Sequence, residues 1–301
     1  MASHVDPVAW AKKVKIRRIV LIILAALLLA GGITVYLLRD RIIPAIRYAK
    51  AERLVNAGRT EEAIDIFENL WTYRDANARA AELAFGMQKD DSVRAVLQGA
   101  KTGDVIEFGR YEQDNNPENG AEPIEWFVMA EQNDRLLLWS VYALDHHAYH
   151  NRSTDTYWEN CSLRTWLNDT FYETAFNESE RLLIPTMKVG NSANGASLTS
   201  GGKDTEDKIV IMSFDELLEY GVRNPYLEWI GTYPTEYAAA QGVEVHPDYG
   251  TCKWWIRTPG IDQTQAVYCD MVGQPLYTAP VTRKGLGVRP MIWVVVGERG
   301  N

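Results

Sequence analysis

The longest apolar feature is an uncharged run from Ile19 to Leu38, in which thirteen of twenty residues are Leu, Ile or Val. As a helix rising about 1.5 Å per residue it measures about 30 Å, the hydrocarbon thickness of a bilayer, so the pattern predicts one transmembrane helix over 19–38. A secretory signal fits less well, because its apolar stretch runs to only about 7–15 residues. Residues 45–98 repeat apolar positions at helical spacing: Tyr48, Ala51, Leu54 and Val55, then Ile64, Phe67 and Leu70. Ala76, Ala80, Leu83, Ala84 and Met87 continue the pattern. Gly58 suits the left-handed end of one helix, Thr60 is placed to cap the next, and Glu61 and Glu62 favour its positive end. The span 42–100 is therefore expected to be an all-α stalk. From 101 onward the texture changes to short alternating strands separated by Gly-, Asn- and Pro-rich turns, with strands expected at 104–111, 124–129, 135–141, 208–212, 254–257, 266–268 and 288–296. Short helices are expected at 163–171, 178–184 and 213–218, the last capped by Ser213. Pro290 suggests an edge or a bulge in the final strand. The fold class is α+β.

Charge sharpens this division. Residues 1–41 hold seven Lys/Arg against two Asp/Glu, and the remainder 24 against 38. Lys12, Lys13, Lys15, Arg17 and Arg18 precede the apolar run, against Arg39 and Arg41 after it. The positive-inside rule then makes 1–18 a cytoplasmic basic tail and places the C-terminal domain outside the membrane. A net charge of -9 argues against a nucleic-acid partner. Three cysteines exclude both a disulfide scaffold and a four-cysteine zinc site.

Two resemblances add to the pattern. The Gly turn followed by Glu62-Ala-Ile-Asp-Ile-Phe67-Glu-Asn-Leu70 resembles a tetratricopeptide-type helical hairpin. Beyond it, Glu122-Pro-Ile-Glu-Trp126, Trp158-Glu-Asn-Cys-Ser-Leu-Arg-Thr-Trp-Leu-Asn168, Thr205-Glu-Asp-Lys-Ile209, Trp254-Trp-Ile-Arg-Thr-Pro-Gly260 and Gly287-Val-Arg-Pro290 follow in order. This set resembles a bacterial family of domains of unknown function. That family in turn resembles the C-type lectin fold of formylglycine-generating enzymes and retroelement variable proteins. The resemblance implies a C-type-lectin-like domain over 101–301, with ligand contacts between the last two motifs.

Several side-chain sets were weighed for chemistry. His146, His147 and His150 lie close in sequence but lack a carboxylate or cysteine at metal-ligand spacing. Cys252 and Cys269 flank a turn and are one conceivable disulfide pair, with Cys161 left over. None of the three falls on the cysteine motif of the formylglycine-generating enzymes. Asp204, Glu206 and Asp207 lack a calcium-loop spacing, and Glu122, Glu125, Asp155 and Glu159 are carboxylates near aromatics, as glycosidases use in pairs. No metal, cofactor or catalytic residue is assigned. The remaining feature is aromatic and polar: Trp254, Trp255, Arg257, Asp262, Tyr268, Gln274, Tyr277 and Arg283 are the candidate ligand-binding residues.

The sequence thus predicts a single-pass membrane protein, anchored in the lipid bilayer through 19–38, whose outer domain binds a glycan, peptide or surface protein without catalysis. The alternatives are an exported enzyme acting on cell-wall polymer or protein side chains, and an envelope assembly subunit that docks through its helical hairpin.

Overall fold

The computed structural model describes residues 21, 24, 28, 31–32, 34–36, 38–132, 134–222 and 230–297. The chain divides into two compact units, residues 1–77 and 78–301. In the first, helix α1 (Ile43–Asn56) turns through Gly58, whose φ of 74° gives the left-handed helix end, into α2 (Thr60–Glu68). The predicted cap is displaced by one residue. Thr60 is already helical, and Arg59 occupies the capping position without a side-chain cap, pairing with Glu62 instead. Tyr48 and Phe67 meet edge to face at 5.1 Å and tie the two helices together.

No helix of the described residues is long and apolar enough to cross a membrane. This corrects the expectation of a bilayer-spanning anchor over 19–38, and with it the single-pass localisation, the cytoplasmic N-terminus and the extracytoplasmic placement of the C-terminal domain. The physical reason is length and charge. The charged stretch Arg39-Asp40-Arg41 lies in a π-helical segment, Leu38–Ile42, that runs directly into α1, and α1 itself has 14 residues, about 21 Å of rise. Most of 19–38, and all of the expected basic tail 1–18, lie outside the described residues.

Helix α3 (Ala76–Met87) leads into α4 (Asp91–Gly99), whose first turn is capped by Asp90. Among the described residues twelve strands follow: β1 (Val105–Tyr111), β2 (Glu122–Gln132), β3 (Arg135–Ser140), β4 (Asp145–His146), β5 (Met187–Val189), β6 (Thr205–Asp207), β7 (Ile209–Val210), β8 (Trp254–Pro259), β9 (Gln265–Cys269), β10 (Pro275–Pro280), β11 (Gly287–Val288) and β12 (Met291–Val295). They form a sheet ordered β1-β2-β3-β12-β7, a second ordered β10-β9-β8-β11-β4, and the small pair β5-β6. Phe85, Leu97 and the inward side chains of both large sheets share one core.

Pro290 neither caps an edge nor bulges a continuous strand. It splits the expected 288–296 strand into β11 and β12, which belong to different sheets, and β12 lies between β3 and β7. Arg289 occupies the crossing. Its guanidinium lies 3.3 Å from the Trp139 ring centre, with Trp254 at 5.5 Å, and donates to the carbonyls of Ser140 (2.8 Å) and Ile230 (3.0 Å). Gly287 is required by close approach, because a Cβ there would stand 2.6 Å from that of Ala143.

The motif around Trp158 folds onto the motif around Asp207. Trp158 Nε1 donates to the buried Asp207 carboxylate at 2.9 Å, and Arg164 Nε at 2.5 Å. Asn168 then accepts from the Lys208 and Ile209 amides and donates to the Ile209 carbonyl. Residue types that look like chemistry in the sequence here satisfy buried polar groups.

Candidate functional site

The segment 190–204 carries little apolar content, yet it is fixed. Asn194, fully buried, donates through Nδ2 to the Pro259 carbonyl at 2.8 Å and accepts through Oδ1 from the Ala196 amide at 2.9 Å. Ser197 and Thr199 reach the Gly260 and Ile261 carbonyls. This loop forms one wall of a cleft of about 240 Å³. The opposite wall is Phe214, Asp215, Thr258 and Tyr277.

Each of those residues is placed by an identifiable device. Ser213 and Glu216 form a reciprocal capping box, Ser213 Oγ accepting from the Glu216 amide and Glu216 accepting from the Ser213 amide at 2.8 Å. That cap starts the short helix carrying Phe214 and Asp215. Thr258 on β8 accepts from the Phe214 amide at 2.8 Å, which fastens the helix start to the second sheet. Tyr277 lies on the edge strand β10 and meets the Phe214 ring at 5.9 Å. Its carbonyl accepts from the Ile261 amide at 3.0 Å, and Gly260 leaves room for that contact, since a Cβ there would fall 2.5 Å from the Tyr277 oxygen.

Behind the cleft, Arg257 is buried and paired with Glu216 through both guanidinium nitrogens, and it also donates to the Ile211 and Gly190 carbonyls. Burial works to raise the Glu216 pKa. The Arg257 charge, with hydrogen bonds from Arg257 and Ser213, outweighs it and holds the carboxyl below its ordinary value.

Of the eight sequence-nominated residues, Tyr277 alone lines the cleft. Trp254 and Trp255 are both 0% exposed. They point to opposite faces of β8, but both faces are covered: Trp254 packs on Trp139 at 5.4 Å, and Trp255 on Tyr149 at 5.6 Å while donating to the His147 carbonyl. Arg257 fastens the loop as described. Tyr268 is buried under the Arg283 guanidinium, 5.1 Å away. Asp262 and Gln274 belong to turns: Asp262 accepts from Thr264 and Gln265, and the Gln274 amide donates to Asp270. Phe214, Asp215 and Asn194 escaped the sequence reading. The signal that could have found them is the length of the polar loop, since a long segment without a core of its own is commonly a binding element.

The other sets disperse. His146 accepts from the Gly285 amide, His150 from the Ser162 amide, and His147 stacks on Trp166 at 3.9 Å beside Asp145, so the three rings serve three partners. Burial lowers the pKa of each. All three cysteines are buried and free, so Cys252 and Cys269 are not bridged. Burial pushes Cys161 and Cys252 up to about 12, which keeps both as thiols rather than nucleophilic thiolates. Asp204 accepts from the Asn191 amide while Asp207 is held by Arg164, and Glu206 is exposed. Glu159 lies 3.9 Å from Lys203, and Asp155 is exposed. Among the described residues one acidic trio, Glu112, Asp114 and Glu122, has oxygens within 4.8 Å of one another; its carboxylates accept from the Gln113 and Asn116 amides of the same loop.

A domain of unknown function, DUF6273, matches residues 133–296, more than half of the chain. The chain belongs to the DUF6273 family. Among curated proteins and among solved structures no significant match is found, so no solved structure supports the C-type-lectin-like expectation for the fold. The DUF6273 match contains every residue lining the Tyr277 cleft and the Arg257–Glu216 pair behind it.

Proposed function

We propose that this DUF6273 chain is a ligand-binding or recognition protein without catalysis, and that the Tyr277 cleft is where it binds. The observation carrying this reading is a preformed recess that combines two aromatic rings, a carboxylate and a threonine hydroxyl with a loop wall pinned by the buried Asn194. Rings give contact area at low entropy cost, and a few fixed polar groups give orientation. The motif set resembles the C-type lectin fold shared by retroelement variable proteins and formylglycine-generating enzymes, and this reading follows the former. Ligands in keeping with the cleft are a glycan or a peptide, engaged through a protruding group.

The test is direct. The full chain is probed on glycan and peptide arrays beside a Tyr277→Ala variant. Because Tyr277 is only half-buried on an edge strand, the variant should keep its melting temperature within a few degrees. Removing an aromatic anchor should weaken array binding by about tenfold or more. Unchanged binding of the folded variant to the same hits would disprove the assignment.

A further inference from the structure

We propose that the Tyr277 cleft selects a primary ammonium group carried on a slim alkyl stem, of the kind a lysine side chain presents. This rests on the reading of the cleft as a binding site and specifies its ligand.

The charge of the lining decides the class. Among the described residues Asp215 is the only charged one lining the cleft; the others are two rings, a serine, a threonine, an asparagine and the small residues Ala193, Gly195 and Ala196. Asp215 is exposed and has no ion-pair partner among the described residues. The guanidinium best placed along the chain to neutralise it is Arg257, next to Thr258. It is committed to Glu216 by two hydrogen bonds and to two carbonyls besides. The capping box thus spends one carboxylate on the scaffold, while Asp215, its exposed neighbour in sequence, lines the recess.

The rest of the lining suits the stem and the charge together. The faces of Phe214 and Tyr277 carry negative quadrupole potential, which attracts a cation and also packs against methylenes. The small residues Ala193, Gly195 and Ala196 on the loop side add little bulk to that wall. The cleft's 240 Å³ lies below the roughly 300–1,000 Å³ of sites for drug-sized molecules, so it holds one protruding group rather than a whole ligand. The chain's net charge of -9 favours approach of cations over anions.

The experiment titrates the full chain by ligand-observed NMR with N-acetyl-lysine methylamide and with N-acetyl-norleucine methylamide, which has the same stem without the nitrogen. The lysine compound should bind at least about tenfold more tightly, and added salt should erode that preference. Asp215→Asn should abolish the preference while leaving the norleucine compound unaffected, and Tyr277→Ala should weaken both. If the two compounds bind equally, or if Asp215→Asn leaves the preference intact, the charge assignment is wrong while a Tyr277-dependent signal preserves the cleft. If neither signal depends on Tyr277, the cleft itself is not the binding site.

Discussion

Trp255→Ala should lower the unfolding free energy of the C-terminal unit by about 3–5 kcal/mol, shifting the urea midpoint with little change in slope. The side chain is fully buried, packs edge to face on Tyr149 and donates to the His147 carbonyl at 2.8 Å. Truncation leaves a cavity the size of an indole in a region bounded by strand backbone, and an unpaired buried carbonyl beside it. The informative contrast is with Tyr277→Ala, which should barely move the midpoint. A Trp255→Ala protein of near-native stability would mean that the core between β8 and the 147–158 segment is not packed as described.

The second large effect is at Arg257. Arg257→Ala should cost about 3 kcal/mol, because it leaves the Glu216 carboxylate only its Ser213 amide donor and strips the Ile211 and Gly190 carbonyls of theirs. It also has a pH signature. Glu216 is held below its ordinary value in the folded chain, so the pair stabilises the fold above the unfolded carboxyl pKa, near 4.3 for a free glutamate. That contribution is lost as pH falls through the lower, folded value. The stability gap between the wild type and Arg257→Ala should therefore be widest above the ordinary carboxyl range and narrow as pH falls below it, a constant part remaining for the lost Ile211 and Gly190 bonds. Parallel curves at all pH values would show that the pair is energetically idle.

Local signals were legible where the physics is local. Alternation marked β1, a continuous apolar run marked β3, and Ser213 announced its helix through its own hydroxyl. Gly58 turned left-handed where a small residue between helical stretches must. What failed depends on neighbours distant in sequence. Two adjacent tryptophans on a strand must face opposite ways, but nothing in their vicinity says that both sides of β8 are covered. Arg257 and Asp207 look like site residues in isolation, and only the fold supplies Glu216 and Arg164 to occupy them. Asp215 was hidden the opposite way: it reads as an ordinary acid in a helix's first turn until the 192–196 loop is seen to line the same cleft. The apolar run at 19–38 satisfied a hydropathy criterion that no described helix meets.

The position of β12 sets the order in which this chain can be finished. β12 is the last strand in chain order among the described residues, yet it hydrogen-bonds to β3 on one side and β7 on the other. A nascent polypeptide released from the ribosome short of Val295 would lack a central stave of its first sheet, with two strand margins bare and prone to self-association. Truncation before β12 should therefore yield insoluble product, not a trimmed but working molecule.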